Sequence, residues 1–299
     1  MDEVKTEQNL GAEASIAPPK PIKSEWAKRR DLILGLAAFL ALLVPVWFAG
    51  AGLGTKFGFL DWQFALSTMT RTIGPILIFA ALILGVIGTV LMLFARPFDG
   101  WKRALVALII PAAAFGQMLS VKAKAALIPP IHDISTDPNN PLQYSTPTLE
   151  ARAAQGQTNP ITMPTTTIIP QGQKGPSKFG GLSVADAQKR AYPTIVPLVI
   201  NGKTVAQVGE AAKTSARQMG WKTISSTEVN TGPQSFVSLE ASATTFWYGF
   251  TDDVVISVRP QGNGVRVDAR SNSRVGVSDL GANAKRIEDF LKAVRAKTD

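Results

Sequence analysis

The stretch LILGLAAFLALLVPVWFAG, Leu32–Gly50, carries no Asp, Glu, Lys, Arg or His, and the same holds for two further runs, Thr72–Ala95 and Ala104–Val121. At ~1.5 Å rise per residue, helical runs of about 18 to 24 residues cross a ~30 Å hydrocarbon slab. Residues 32–121 therefore read as a three-span membrane anchor. The C-terminal remainder of the chain is polar and rich in strand signals, and long enough to fold around its own core.

Charge sets the expected orientation. Lys20, Lys23, Lys28, Arg29 and Arg30 precede the first run, and Arg96, Lys102 and Arg103 lie between the second and third. The loop Ala51–Arg71 holds only Lys56 and Arg71 against Asp61. The positive-inside rule then predicts a cytoplasmic N-terminus and, after three crossings, a periplasmic C-terminal domain in a bacterial inner membrane. Lys122 and Lys124 come just after the third run, where long side chains can snorkel. Ala49-Gly50-Ala51 resembles a weak leader-peptide cleavage site, but the run is long and about 31 residues precede it, so a retained anchor is expected. Residues 1–31, with Ala-Pro-Pro-Lys-Pro at 17–21, are predicted to be a disordered cytoplasmic tail.

Within the spans, Ala81, Gly85 and Thr89, and likewise Ala112 and Gly116, place small residues four apart and offer faces for close helix packing. Phe57, Phe59, Trp62 and Phe64, with Trp47 and Trp101, fit the aromatic belt at the interfaces, so membrane lipid is one expected partner. Pro45, Pro75 and Pro111 are candidate kinks or helix starts. The runs hold no ionisable residue and Gln117 is their one side-chain amide, which suits an anchor or assembly platform better than a transporter.

The formal charge of +9 does not point to nucleic acid. From Pro129 onward there are 18 Lys and Arg against 14 Asp and Glu, and no basic stripe with interleaved aromatics. The absence of cysteine excludes disulfides and thiolate chemistry, and a single histidine, His132, excludes a multi-histidine metal site. No nucleotide, flavin or metal motif is present, so no cofactor is expected.

Residues 122–181 read as a Pro-rich connector, with Thr158–Gly181 an extended, mobile linker. One island, Ile131-His132-Asp133-Ile134-Ser135-Thr136-Asp137, is either a site contributed to the domain or a short strand or turn satisfying local backbone. In residues 182–299 a short helix over Leu182–Tyr192 is capped by Ser183 and stopped by Pro193, and Ile195–Ile200 is extended. Thr204 and Gln207 form a capping box for an amphipathic helix that ends at Gly220. Strands are predicted over Trp221–Glu228, Ser235–Ser242, Asp253–Arg259 and Gly264–Ser271, then a helix over Ser278–Ala296. This order predicts an α+β two-layer domain, an antiparallel sheet with helices on one face. Alternation buries Val254, Ile256, Val265 and Val267 and turns Arg266, Asp268 and Arg270 the other way.

Arg259, Arg266, Arg270 and Arg274 lie on or just past two neighbouring strands, with Asp252, Asp253, Asp268 and Asp279 interspersed. Two readings stand: a polar pocket in which arginines grip an anionic ligand, completed by His132 and Asp133 beside Arg270 and Arg274, or a solvated face with weak ion pairs. Ser271 and Ser273 lack the strand-turn-helix setting of a nucleophile elbow, and Gly276–Gly281 lacks a phosphate-loop lysine. Asp252 and Asp253, adjacent on a strand, face opposite ways and make no acid/base pair.

Several runs together resemble a bacterial family known as domain of unknown function 1499. They are Ile128–Asp137, Tyr192-Pro193, Gly220-Trp221, Ala243–Phe250, Asp252–Ile256, Arg266–Gly276 and Ser278–Ala284. The resemblance covers about 128–299, poorly over Ser145–Gly181, and members commonly have Arg where this chain has Ser257. It implies an exported or membrane-anchored protein and carries no activity. The candidate ligand-binding set is His132, Asp133, Asp137, Asp252, Asp253, Arg259, Asp268, Arg270, Ser271, Ser273, Arg274, Asp279 and Asn283. No catalytic residue and no metal ligand is assigned. The expected function is a noncatalytic envelope module binding another envelope protein or an anionic ligand. An envelope hydrolase with His132 as base is the alternative.

Overall fold

The computed structural model describes residues 24–94, 99–171, 177–229 and 232–299. Most of the tail expected over 1–31, together with Arg96, lies outside them.

Three helices, α1 (Glu25–Lys56), α2 (Gly74–Phe94) and α3 (Trp101–Leu127), form the bundle, and a π-helical segment, Phe64–Ile73, leads directly into α2. At ~1.5 Å per residue they reach about 48, 32 and 40 Å, and all three are long and apolar enough to cross a bilayer. Ser24 caps α1 by accepting from the Ala27 N–H. The helices touch through small residues: Ala37 and Ala41 of α1, Ala81, Gly85 and Gly88 of α2, Ala104 and Ala107 of α3 are buried. A Cβ at Gly85 would lie 2.5 Å from the Ala107 carbonyl oxygen. That carbonyl is the one freed by Pro111, four residues on, so glycine lets the α2 backbone close over it. The expected face at Ala112 and Gly116 is instead exposed, and no atom lies within 4 Å of a Cβ at Gly116. α3 packs through the side that carries Ala104, Ala107 and Pro111.

The C-terminal domain is an antiparallel six-stranded sheet with helices. β3 (Lys222–Val229), β4 (Phe236–Thr244), β5 (Thr251–Gln261) and β6 (Gly264–Ser273) form a meander, and two short strands share the outer edge of β6. β1 (Asp133–Ser135) pairs with Arg270–Asn272, and β2 (Leu198–Asn201) pairs with 264–267. The inward side chains of β4, β5 and β6, from Val237 to Ala269, meet α6 (Val205–Gln218) and α7 (Ala282–Thr298) in one core. Trp221 stacks on Phe290 at 5.3 Å between centroids. The capping box of Thr204 and Gln207 is formed, and Ser183 caps α5 (Val184–Ala191).

The connector differs from the expectation. Residues 133–171 carry β1 and a further helix, α4 (Thr146–Ala153), and the segment from Leu142 to Thr162 lies across the sheet face opposite α6 and α7. The described part of Thr158–Gly181 is fixed: the Asn159 N–H donates to the Arg274 carbonyl at 2.6 Å, the Ile169 N–H to Leu182, and Ile169 and Phe179 are buried. The physical reason is the outward sheet face itself. Its charged side chains need buried partners, and the connector's carbonyls and short polar side chains supply them.

Candidate functional site

Alternation along β5 and β6 sends Asp253 to the connector side with Asp268, Arg270 and Arg274, while Asp252, Ser271 and Ser273 go to the helix side. Two polar clusters result.

On the connector side Arg270 is fully buried. Its Nε and Nη2 donate to the two Asp133 carboxylate oxygens at 3.0 and 2.6 Å. Nη1 donates to the Leu142 carbonyl at 2.8 Å and Nη2 to that of Thr162 at 2.9 Å. The Tyr144 ring lies under the guanidinium at 5.5 Å, and its hydroxyl donates to the Asp253 carbonyl at 3.0 Å. Burial lowers the Arg270 pKa, Asp133 outweighs it, and the net shift is upward. Burial holds the Tyr144 phenol well above its usual pKa.

Asp253 joins two arginines. Arg274 reaches it through Nε and Nη2, the closest contact 2.7 Å, and Arg152 of α4 through Nη1 at 2.6 Å. The remaining donors close on the chain: Arg274 Nη1 on the Ala151 carbonyl and Gln155 Oε1, both at 3.0 Å, and Arg152 Nη2 on the Asn159 carbonyl at 2.6 Å. Glu240 of β4 accepts from the Ser145 N–H and the Thr148 hydroxyl, which fixes the start of α4 to the sheet. Gln188 of α5 pairs with both backbone groups of Ser135, accepting from its N–H at 3.0 Å and donating to its carbonyl at 2.6 Å. It thereby closes the open edge of β1.

Nearer solvent, Arg266 and Arg259 converge on Asp268, with Arg266 Nε at 2.7 Å and Arg259 Nη2 at 3.1 Å. Asp268 also accepts from the Thr136 hydroxyl. The Asp268 hydrogen bond is the largest cause of an upward Arg266 pKa shift. Asp137 accepts from Arg266 and from the Asn139 and Asn140 N–H groups. Burial raises the Asp137 pKa, but the Asn140 N–H and Arg266 outweigh it, and the net shift is downward.

On the helix side, Asp252 pairs with Arg286 of α7 at 2.5 Å. Arg286 also donates to the Ser271 hydroxyl and to Asn283. Ser271 donates to Asn283 Oδ1 at 2.6 Å, and Asn283 Nδ2 donates to Ser273 Oγ and to the His132 carbonyl. Asp279 accepts from the N–H groups of Gly281 and Asn283 at the head of α7. Burial raises its pKa. The His132 ring contacts the Val277 carbonyl at a long 3.4 Å, and the two serine hydroxyls are held by Asn283 rather than by the imidazole.

The structure thus places the His132–Asp137 island as the edge strand beside Arg270, and divides the thirteen candidate residues between two faces of one sheet. Arg270 and Arg274 are placed as struts: each commits its fork to a carboxylate of the same chain and its remaining contacts to the connector. Arg152, Tyr144, Glu240, Gln188 and Arg286 were missed in the sequence. Thr146-Pro147 ahead of an acidic-basic turn was the one local signal for α4 and so for Arg152. Among the described residues, no group of three His, Cys, Asp or Glu could hold a metal ion.

A comparison with curated proteins found no match. The family model described as protein of unknown function (DUF1499) matches residues 133–294, which begins at the strand carrying Asp133 and ends within α7. The match takes in the connector as well as the meander, as the buried arginine struts require, and the chain belongs to the DUF1499 family.

Proposed function

We propose that the protein is a noncatalytic binding module of the bacterial inner membrane, with a cytoplasmic N-terminus and a periplasmic C-terminal domain that recognises another envelope protein or an anionic ligand. The observation that carries this reading is the saturation of the arginine clusters. Arg270 and Arg274 are buried and bonded to Asp133, Asp253 and connector carbonyls, so the groups best suited to chemistry are spent on holding the domain's shape. Recognition then falls to exposed surface. The cleft between the end of α3 and α7 is lined by Lys124, Tyr192, Lys285, Glu288, Asp289 and Lys292; Lys285 is paired with Asp289 at 2.6 Å, so Lys124 and Lys292 are the cations it offers an acidic partner. The orientation is supported by Lys28, Arg29, Lys102 and Arg103, which belong to the bundle end where α1 begins and α3 begins, while α3 ends at the domain.

The test is photocrosslinking in intact cells from a benzoylphenylalanine placed at Lys292, with the same residue at Asn263 as control. A single reproducible envelope protein captured at 292, absent at 263 and lost on charge reversal of Lys124, supports the reading. Hydrolysis of an ester, peptide or glycan substrate by the purified full chain, abolished by His132→Gln, overturns it in favour of the hydrolase.

A further inference from the structure

We infer that the β4–β5 loop is a second membrane anchor, with Phe246 and Trp247 seated in lipid at the headgroup–acyl boundary. The loop runs Thr245-Phe246-Trp247-Tyr248-Gly249-Phe250 without a charge. Its backbone rests on α1. A Cβ at Gly52 would stand 3.5 Å from the Trp247 carbonyl oxygen, and one at Gly249, whose φ is +67°, would stand 3.0 Å from the Lys56 Cα. Glycine is what permits the approach at Gly249, where both the positive φ and the tight contact exclude a side chain, while at Gly52 the two backbones meet at ordinary van der Waals distance.

The four aromatics divide by direction. Tyr248 stacks on Phe250 at 5.2 Å and shares a 2.5 Å hydrogen bond with Thr70 of the π-helical segment, and Phe250 meets Trp62 edge-on at 6.0 Å. These two fasten the domain to the bundle. Phe246 and Trp247 meet each other edge-to-face and remain 69% and 54% exposed.

Depth follows from helix geometry. The charge-free part of α1, Leu32–Thr55, is about 36 Å long, some 6 Å more than a ~30 Å hydrocarbon core. Gly52 lies four residues before Lys56, about 6 Å along the axis, so the Trp247 backbone reaches the edge of the hydrocarbon. The Lys56 ammonium, which snorkels toward phosphate level, sits 4.6 Å from the Phe246 ring centroid. Phe57, Phe59 and Phe64 are exposed at the same end of the bundle, so the two rings continue an apolar girdle rather than stand alone. An apolar surface continuous with the lipid-facing sides of three spans, rimmed by a cation, fits the bilayer as its occupant. The inference holds whichever side of the membrane the domain lies on.

The chain has no cysteine, so Phe246→Cys and Trp247→Cys each give one labelling site on an exposed side chain. The full chain, spin-labelled there and placed in nanodiscs of phosphatidylethanolamine and phosphatidylglycerol, is read for collisions with oxygen and with a polar nickel chelate. Val86→Cys on the lipid-facing side of α2 and Asn263→Cys at the β5–β6 turn are the references. Loss of nickel-chelate contact with oxygen contact kept, as at 86, is expected at both loop positions. Nickel contact equal to that at 263, which means water, or loss of both reagents, which means a protein cover such as a second copy, overturns the inference.

Discussion

Arg270→Met is the sharpest probe of the buried struts. The side chain is fully buried, pairs with both oxygens of Asp133 and bonds the carbonyls of Leu142 and Thr162. Removing one member of a buried ion pair leaves an uncompensated charge and costs about 3–5 kcal/mol. Domains of this kind are stable by about 5–15 kcal/mol in all, so the loss takes a large share. At about tenfold per 1.4 kcal/mol, amides of β6 should exchange roughly a hundred- to a thousandfold faster or more. Hydrogen exchange on the full chain in nanodiscs reads this segment by segment, and the bundle serves as an internal reference. Asp133→Leu added to Arg270→Met removes the orphan charge and should recover part of the protection, leaving the two carbonyls unserved. Arg270→Lys should fail to rescue, since an ammonium cannot span both carboxylate oxygens and two carbonyls. Wild-type exchange in Arg270→Met would refute the reasoning and return that arginine to the ligand-gripping role expected from sequence.

Three further outcomes rest on the same geometry. Gly85→Val drives a side chain onto the Ala107 carbonyl and should cost about 1–3 kcal/mol by thermal unfolding in detergent, while Gly116→Val, with open space, should not. The Tyr192 phenol is pushed up to about 12, by burial first and then by Asp279 and Glu288, so stability is independent of its titration below about pH 10 and falls as pH rises toward 12. Ultraviolet titration of wild type against Tyr192→Phe checks the value, and because that buried hydroxyl has no partner, the variant should match wild type or gain about 1 kcal/mol. The Asp137 pKa is lowered, so its stabilisation is present above about pH 3.8 and is lost as pH falls through the folded value. Asp137→Asn should remove that part of the acid transition in a chemical-denaturation series.

The spans, the meander and the amphipathic helices were legible because period and length carry them. Val254, Ile256 and Val258 against Asp253 and Ser257 left one choice of core face. Arg270 and Arg274 stood out as charges on or just past the last strand, turned away from the core, but their partners did not. Asp133 lies 137 residues before Arg270, and Arg152 lies 101 before Asp253, so no local pattern joins them. The connector read as a linker because prolines, threonines and asparagines are usual in loops. Here the same residues present the carbonyls and hydroxyls that a buried guanidinium needs, and only the sheet face shows the demand. The contact between Gly52 and the Trp247 backbone was hidden for the same reason, since glycine on a membrane helix is common and its partner is 195 residues away.

Tethering in the membrane with the domain outside the cytoplasm is most directly tested by thiol labelling of Asn263→Cys, at the exposed β5–β6 turn, in intact spheroplasts with a membrane-impermeant maleimide. Lys102→Cys, at the opposite end of the bundle, is the control. Labelling at 263 before lysis and at 102 only after lysis is the expected result. Labelling at 102 before lysis and at 263 only after it would contradict the orientation and the periplasmic role built on it.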